Sequence, residues 1–433
     1  MTAPRVSFAE AFRFWLKLGF ISFGGPTGQI AIMHQELVER RRWISEKRFL
    51  HALNYCMVLP GPEATQLATY IGWLMHRTWG GIVAGGLFVL PSVFILIALS
   101  WIYVTYGNVA PVAGVFYGIK PAVVAIVLAA AWRVAQRALK HPALWGIAAA
   151  ALLAIAVFGA PFPAIVLAAG IIGYFGGRFF PGIFSSAASH KNQGGYGPAL
   201  IDDDTPAPAH ALFSWTKLGA YAGAGLALWA LAISALAAAD GWDGTLAQMA
   251  LFFSKAALLT FGGAYAVLPY VYQGAVEHYG WLTASQMIDG LALGETTPGP
   301  LIMVVAFVGY LGAGTAGALA ATYFTFLPSF VFIFAGAPFI ETTHGNLKFS
   351  APLTGITAAV VGVIVNLALF FAWHVLWPGG WESRIDWISA LIGAAAFAAL
   401  FRYKTGVMPV IGACALAGLA ASALMGAPAT LLR

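Results

Sequence analysis

The chain has 433 residues, of which 60% are hydrophobic and only 9% are charged, and its mean hydropathy is +0.82. Soluble domains carry roughly a quarter charged residues, so this composition excludes a soluble globular protein and predicts an all-α polytopic membrane protein. The net charge is +6, and the two cysteines lie far apart in apolar segments. We expect the protein to lie in the lipid bilayer and its cysteines to be reduced. We expect it to bind no nucleic acid, metal or cofactor.

The first predicted elements are helices that break before they can span a bilayer. Residues 8–40 form a helical stretch interrupted at Phe23-Gly24-Gly25-Pro26, and residues 46–76 form two short helices around Pro60-Gly61-Pro62. Proline lacks a backbone N–H and clashes with the preceding turn, while glycine adds freedom, so neither stretch continues as one helix. Each half of 46–76 is too short to cross roughly 30 Å of hydrocarbon. Whether residues 8–39 span the membrane or turn back is left open.

Longer apolar segments follow. Full-length spans are predicted at 80–104 and 110–132, and a pair of apolar helices at 143–157 and 161–178. Arg133, Arg137 and Lys140 follow the second span and indicate an exit from the membrane. The domain organisation predicted from these segments is a first repeat at 1–184, a polar Gly/Pro linker at 185–211, one transmembrane helix at 212–240, and a second repeat at 241–433.

The second half repeats the first. Adding 238 to the residue number takes Lys17 to Lys255 and Pro60 to Pro298, with no gap from one pair to the other. One residue is then lost, and a shift of 237 aligns the two Leu-Pro-Ser motifs, which end at Ser92 and Ser329. Matches of this length indicate an internal duplication.

The positive charges indicate that the two halves have opposite orientations. Arg40, Arg41 and Arg42 align with a stretch of the second half that contains no lysine or arginine. The basic cluster after residue 132 also aligns with a stretch that has neither. Positive loops stay in the cytoplasm, so one structural loop would lie inside in the first half and outside in the second. The helix at 212–240 adds one extra passage through the membrane, which reverses the orientation of the second half. We predict two inverted-topology repeats with discontinuous helices and roughly 10–13 membrane segments, an architecture typical of secondary transporters.

Long motifs in both halves resemble the chromate ion transporter family in its long two-domain form. They are FGGP, the basic loop ending at Trp43, PGPEATQLATYIGW and LPS in the first half, and FGGAYAVLP, GWLTASQMIDGLALGETTPGP and TFLPSF in the second. The resemblance covers about residues 10–180 and 247–365. It implies a bacterial inner-membrane exporter that lowers cytoplasmic chromate and confers chromate resistance, with sulfate as the physiological look-alike. One departure is Ala264, which stands where Pro26 stands in the first half.

The broken helices supply a candidate site for a tetrahedral oxyanion. A helix that starts after a break presents free N–H groups and the positive end of its dipole, and glycine lets the backbone approach the ligand. The same clusters also suit close helix crossing, so both interpretations stay open. The family's motif glycines and prolines carry over to Gly24, Gly25, Pro26, Pro60, Gly61 and Pro62, and to Gly262, Gly263, Pro298, Gly299 and Pro300.

Polar residues near the breaks complete the predicted site. Lys17 and Lys255 attract the anion or act as interfacial anchors, and Lys120 has the same two interpretations. Glu63 and Glu295 are candidate coupling residues, as intramembrane proton carriers or as partners of these lysines; the alternative for Glu63 is a helix cap. The remaining candidates could hydrogen-bond substrate oxygens or make helix contacts: Ser22, Gln29, Gln66, Thr260, Thr296 and Thr297.

Three other functions are alternatives to chromate export. A sulfate or other inorganic anion transporter in which chromate is incidental fits the same features. A channel is a further alternative, which flux measurements would separate from a carrier. An intramembrane enzyme is disfavoured because the chain has no HExxH or GxSxG motif and no paired catalytic carboxylates. Membrane potential could drive export, with proton antiport as an addition. A homodimer is left open, as is the coupling ion.

Overall fold

The computed structural model describes residues 6–23, 25–184, 196–203, 205–206, 208–343, 350–380 and 382–425. These residues form α-helices joined by short turns, and the only β-pairing among them is one isolated bridge. The predicted all-α class is therefore confirmed. The helices are α1 Phe8–Ile21, α2 Gly25–His34, α3 Glu46–Val58, α4 Glu63–Tyr106, α5 Ala110–Ala138, α6 Pro142–Phe158, α7 Phe162–Phe179, α8 Pro181–Phe184, α9 Trp215–Asp240, α10 Thr245–Leu259, α11 Ala264–Tyr272, α12 Ala284–Thr296, α13 Val304–Thr343, α14 Ser350–Leu376, α15 Trp387–Phe401 and α16 Val407–Met425.

Seven described helices, namely α4, α5, α7, α9, α13, α14 and α16, are long and apolar enough to cross a membrane. Three more, α6, α10 and α15, are apolar but shorter. The remaining elements are mostly the half-helices on either side of the predicted breaks, which cannot span a bilayer individually. The chain is thus a polytopic membrane protein, as its composition predicts.

Backbone irregularities recur in both halves at the spacing of the sequence repeat. The helix α4 is kinked at His76 and Arg77, where Arg77 has φ of 57°, and α13 is kinked at Ala313 and Gly314, where Gly314 has φ of 60°. The predicted short helix before residue 76 and the span from 80 are the two arms of kinked α4. Each helix after a Phe-Gly-Gly break also ends in a π-helical turn, at Gln35–Arg40 and Gln273–His278.

The helices of the two halves exchange contacts reciprocally. The helix α1 packs on α4 as α10 packs on α13, while α5 packs on α15 and α16 as α14 packs on α6 and α7. The equivalent helices α4 and α13 pack together, and so do α5 and α14. Reciprocal contacts of this kind are what a two-fold relation between the halves would produce. The direction of each half relative to the membrane stays a prediction.

Glycines allow the closest of these reciprocal crossings. A Cβ on Gly118 of α5 would overlap the Cys414 carbonyl of α16 and come within 2.7 Å of Gly418. In the equivalent crossing, a Cβ on Gly355 of α14 would meet the Ala169 carbonyl and lie 2.9 Å from Gly173 of α7. Backbones in contact gain dispersion energy that larger residues at these positions would prevent.

We expect Gly118→Leu to lower the thermal unfolding temperature of the detergent-solubilised protein, because the leucine side chain has to separate α5 from α16. Overpacking of this kind costs about 1–3 kcal/mol or more. The matched control is Gly146→Leu on α6, where nothing lies within 4 Å of the added Cβ. Equal unfolding temperatures for the two variants would show that the α5–α16 crossing does not depend on the glycine.

Two connecting segments differ from expectation. The helix α5 continues to Ala138 instead of ending near residue 132, so Arg133 and Arg137 lie on the last turns of the helix and only Lys140 follows it. Much of the predicted linker lies outside the described residues, but its last part docks on the loop before α3. Ser45 donates to Asp203 at 2.6 Å, and backbone N–H groups that donate to the Asp202 carboxylate hold its pKa below the usual value.

Both cysteines, Cys56 and Cys414, are buried and free, as expected for packing residues.

Candidate functional site

The two Phe-Gly-Gly breaks start new helices in the same way. Gly25 has φ of 69°, and Gly262 and Gly263 have φ of 81° and 100°, in the region that favours glycine. The helix α2 begins at Gly25 and α11 at Ala264, so replacement of the proline by alanine still permits a helix start at this position. Gly24 lies outside the described residues. The free N–H groups predicted after each break are therefore placed at the starts of α2 and α11.

The two Pro-Gly-Pro breaks pair with the two Phe-Gly-Gly breaks of the opposite half. The backbone N–H of Gly61 donates to the Thr260 carbonyl at 2.8 Å, and that of Gly299 donates to the Ser22 carbonyl at 2.8 Å. The two hydrogen bonds are equivalent in the repeat, because Gly61 aligns with Gly299 and Ser22 aligns with Thr260. Each break of one half thus satisfies a backbone group exposed by a break of the other half, which unpaired backbone in a membrane requires.

Gly61 and Gly299 are enclosed by the opposite half. Their φ angles are 124° and 108°. A Cβ on Gly61 would overlap Ser329 Oγ and lie 2.8 Å from Gln66 Nε2, while one on Gly299 would lie 2.7 Å from Ser92 Cβ. Ser92 and Ser329 belong to the two Leu-Pro-Ser motifs, on α4 and α13. Both the backbone conformation and the space therefore require glycine at these two positions.

The two predicted glutamines stabilise the breaks through their amide nitrogens. Gln29 Nε2 donates to the carbonyl of Gly299 and, at 3.5 Å, to that of Ser22. Gln66 Nε2 donates to the carbonyl of Pro60 at 2.8 Å and to Ser329 Oγ at 3.5 Å. All four amide N–H groups are thus occupied, which leaves the side-chain carbonyl oxygens unpaired among the described residues. These oxygens would repel an anion.

The predicted threonines also bond to nearby backbone. Thr296 Oγ1 donates to the Leu293 carbonyl at 2.9 Å, and Thr297 Oγ1 donates to the Gly294 carbonyl at 3.1 Å. Both hydroxyls satisfy carbonyls at the C-terminal end of α12. Pro62 and Pro300 follow the enclosed glycines, and Pro62 immediately precedes α4.

Two arginines of α5 lie at the junction of the breaks and face the two predicted coupling carboxylates. Arg137 interacts electrostatically with Glu63 and donates to Thr27 Oγ1 at 3.2 Å. Arg133 interacts electrostatically with Glu295, which also accepts a hydrogen bond from the Tyr265 hydroxyl. The arginines are four residues apart, so they share one face of α5.

The same group of residues links four helices to α5. Glu63 begins α4, Glu295 lies near the end of α12, and Thr27 and Tyr265 lie in the first turns of α2 and α11. The Glu63 carboxylate oxygens lie 3.8 Å from the position that a Cβ on Gly263 would occupy. Both arginines are exposed and both glutamates are half-buried. Two exposed guanidinium groups beside helix N-termini suit a small dianion.

The predicted lysines lie elsewhere. Lys17 on α1 and Lys255 on α10 are exposed, and neither forms a hydrogen bond or ion pair with the described residues. Lys120 donates to Ser285 Oγ at 2.7 Å and lies 3.7 Å from Asp289 Oδ2. Arg133 is thirteen positions further along α5, which is about 20 Å along a helix axis. The structure therefore does not group the three lysines with Glu63 and Glu295.

The arginine pair and Asp289 are the residues that sequence reasoning missed. Arg133 and Arg137 have the spacing of one helix face and no lysine or arginine counterpart in the second half. From the sequence, that asymmetry predicts only the membrane topology, since basic residues after an apolar span usually mark a membrane exit. Asp289 lies within the motif GWLTASQMIDGLALGETTPGP, but nothing in the sequence gives it a chemical role, so only its contacts identify it.

Comparison with known proteins adds the family. The family described as chromate transporter matches residues 9–174 and 247–419. The chain belongs to this family. The chromate transport protein of Cupriavidus metallidurans is 31% identical over 427 residues, which cover 98% of this chain and 96% of that protein. The chromate transport protein of Pseudomonas aeruginosa is 35% identical, with 96% and 92% covered. The probable chromate transport protein of Synechococcus elongatus is 30% identical, with 91% and 90% covered.

No solved structure shows a significant match to the chain. Membership of the chromate transporter family confirms the resemblance carried by the motifs and supports a role in chromate transport. Together with the apolar helices it indicates a multi-pass protein of the bacterial plasma membrane. The family match covers both halves and leaves out the region between them, which contains the linker and α9.

Proposed function

We propose that the protein exports chromate from the cytoplasm by alternating access and thereby confers chromate resistance. The observation that carries the proposal is the pair of exposed arginines, Arg133 and Arg137, at the junction of the four breaks. Guanidinium groups bind planar or tetrahedral oxyanions through two parallel hydrogen bonds, and the starts of α2 and α11 add backbone N–H donors. Donors from both halves then surround one anion.

Charge balance suggests how the anion enters. Without substrate, the two arginines face two glutamates, Glu63 and Glu295, so the formal charges cancel when both carboxylates are ionised. A chromate dianion can take their place only if the carboxylates move away or accept protons. The glutamates therefore act as internal competitors that hold the arginines in position and release them to the substrate. This role keeps both residues in the coupling step without requiring them to contact chromate.

The direction of transport rests on the inverted arrangement of the repeats at 1–184 and 241–433, with α9 between them as the helix that changes the topology. The positive-inside rule places the arginine-rich loop before α3 and the C-terminal end of α5 in the cytoplasm. The exposed arginines then face the side from which chromate is loaded. A dianion that leaves an inside-negative cell gains about 4.6 kcal/mol per 100 mV, a concentration ratio of roughly a thousand-fold, so membrane potential alone can drive export.

Everted membrane vesicles test the proposal, because export from the cell appears as uptake into them. Vesicles that contain the protein should accumulate chromate when respiration makes their interior positive, and collapse of the potential should abolish accumulation. Saturation and counterflow are expected of a carrier. Uptake no greater than in vesicles without the protein would refute export, and ion conductance beyond carrier rates would indicate a channel.

A sulfate or other inorganic anion transporter is the second candidate, because the arginine pair recognises charge and tetrahedral shape. Sulfate and chromate share both properties, and no described residue of the group distinguishes them by its chemistry. Competition in the same vesicles decides between the candidates. A lower half-saturating concentration for sulfate than for chromate would make chromate the incidental substrate.

Removal of a competing carboxylate should tighten chromate binding. We expect Glu63→Gln to lower the half-saturating chromate concentration about two- to fivefold, since the attraction between partly exposed charges is worth roughly 0.5–1 kcal/mol. Glu295→Gln should act in the same direction through Arg133. Initial rates of uptake into everted vesicles measure both. A higher half-saturating concentration in either variant would mean that the glutamate helps to bind the anion and does not compete with it.

A further inference from the structure

A second charged cluster joins α12 to two helices of the first half, about 20 Å along α5 from the arginine pair. Lys120 Nζ of α5 donates to Ser285 Oγ at 2.7 Å and lies 3.7 Å from Asp289 Oδ2. Tyr103 of α4 donates its hydroxyl to the same Oδ2 atom at 2.8 Å. The Asp289 side chain is 4% exposed and that of Lys120 is 12% exposed. Charged groups at such depth are costly and usually functional.

The partners of Asp289 are distributed unevenly over its two oxygens. Lys120 and Tyr103 both contact Oδ2, while Oδ1 is buried and has no hydrogen-bond partner among the described residues. An ionised carboxylate carries half of its charge on each oxygen, so Oδ1 holds buried charge that no donor stabilises. A proton bound at Oδ1 would remove that charge and leave the Tyr103 hydrogen bond to Oδ2 in place. The geometry therefore suits a group that gains and loses a proton.

A comparable cluster of α3, α4 and α13 has no such open carboxylate oxygen. Arg48 Nη1 of α3 lies 3.6 Å from Glu341 Oε2 of α13, and the Tyr70 hydroxyl donates to Glu341 Oε1. Each oxygen of Glu341 thus has its own partner. Both clusters tie the first turns of a half-helix, α3 or α12, to the C-terminal part of the opposite half's long helix. Their residues do not occupy equivalent positions of the repeat, since Asp289 aligns with His51.

We propose that Asp289 is a proton-binding site that couples chromate export to proton entry. This inference rests on the proposed function. In the step, one proton from the outer side bonds to Asp289 Oδ1, and the neutral carboxyl no longer attracts the Lys120 ammonium. At this cluster, the polar attachment of α12 to α5 is then reduced to the Lys120–Ser285 hydrogen bond. Loss of the proton to the cytoplasm restores the ion pair.

The proton and the anion are linked because α5 and α12 carry both charge pairs. The helix α12 holds Asp289 near its start and Glu295 near its end, opposite Lys120 and Arg133 of α5. A shift of α12 along α5 that follows protonation also separates Glu295 from Arg133 and frees the guanidinium for chromate. The groups that act on Asp289 are Lys120 from α5 and Tyr103 from α4. No titratable group of the described parts of α13, α14 or α16 acts on it.

The test uses the purified full chain in proteoliposomes that contain chromate and a pH-sensitive dye. The lumen and the external solution both start at alkaline pH, so that chromate carries both negative charges and moves no proton itself. The unaltered protein should acidify the lumen as chromate leaves. Asp289→Asn should lose this acidification, while chromate counterflow, which needs no net proton movement, continues near the rate of the unaltered protein. The matched control is Glu341→Gln, which should retain both.

Other outcomes overturn the inference and separate it from the proposed function. Chromate counterflow without acidification by the unaltered protein would refute proton coupling and leave the transporter intact. Acidification that persists in Asp289→Asn but is lost in Glu295→Gln or Glu63→Gln would place the proton on a glutamate and exclude Asp289. Absence of chromate counterflow in the unaltered protein would refute the proposed function and this inference with it.

Discussion

Arg133→Gln and Arg137→Gln should each raise the half-saturating chromate concentration about 10- to 100-fold in everted vesicles. A charge-assisted hydrogen bond to a buried or partly buried anion is worth roughly 1.5–3 kcal/mol, and every 1.4 kcal/mol is a factor of about ten. Lysine at either position should give an intermediate value, since an ammonium keeps the charge but loses the two-pronged geometry of the guanidinium. The double glutamine variant should be inactive.

The control for these variants is Arg178→Gln, at an exposed position near the end of α7 that lies outside the group. It changes the net charge by the same amount, so it separates a local effect from a general change in the electrostatic attraction of the anion. We expect its transport to match that of the unaltered protein. Equal losses in Arg178→Gln and Arg133→Gln would show that the arginines act only through net charge, and the proposed site would be wrong.

Alanine at Gly61 or Gly299 should abolish transport and lower the unfolding temperature. A non-glycine residue at φ of 124° or 108° costs about 1–3 kcal/mol in backbone strain, before any contact is counted. The added Cβ also overlaps Ser329 Oγ or lies 2.7 Å from Ser92 Cβ, which would separate the paired breaks. Thermal unfolding in detergent and vesicle uptake measure the two effects. The control is Gly86→Ala in α4, where the added Cβ meets nothing within 4 Å.

Second-site changes test whether the clash is the cause. Ser329→Ala should restore part of the stability of Gly61→Ala, because the overlap is with the serine oxygen. Ser92→Ala should restore little in Gly299→Ala, since the closest atom there is Cβ, and only Ser92→Gly removes it. Equal rescue by alanine in both backgrounds would contradict the reciprocal packing of the breaks.

Several features of the protein follow from local sequence patterns. Hydropathy and composition identify a polytopic all-α membrane protein, and Gly/Pro clusters locate the helix breaks at residues 59–62 and 297–300. The internal shift of 238 then 237 residues predicts equivalent elements, which recur as matched kinks and π-helical turns. Long motifs also identify the family. These properties depend on neighbours in the chain, because proline, glycine and apolar runs act on the backbone where they occur.

Tertiary structure alone decided which of these features meet. The sequence suggested the breaks, but only the fold shows Gly61 paired with Thr260 and Gly299 paired with Ser22. It also shows that Gln29 and Gln66 use their donors on backbone carbonyls, and that arginines expected at a membrane exit face Glu63 and Glu295. The physical reason is that a polar side chain buried in a membrane is costly unless it has a hydrogen-bonding or charged partner. Its role therefore depends on which partner the fold places beside it. That partner lies far away in the chain.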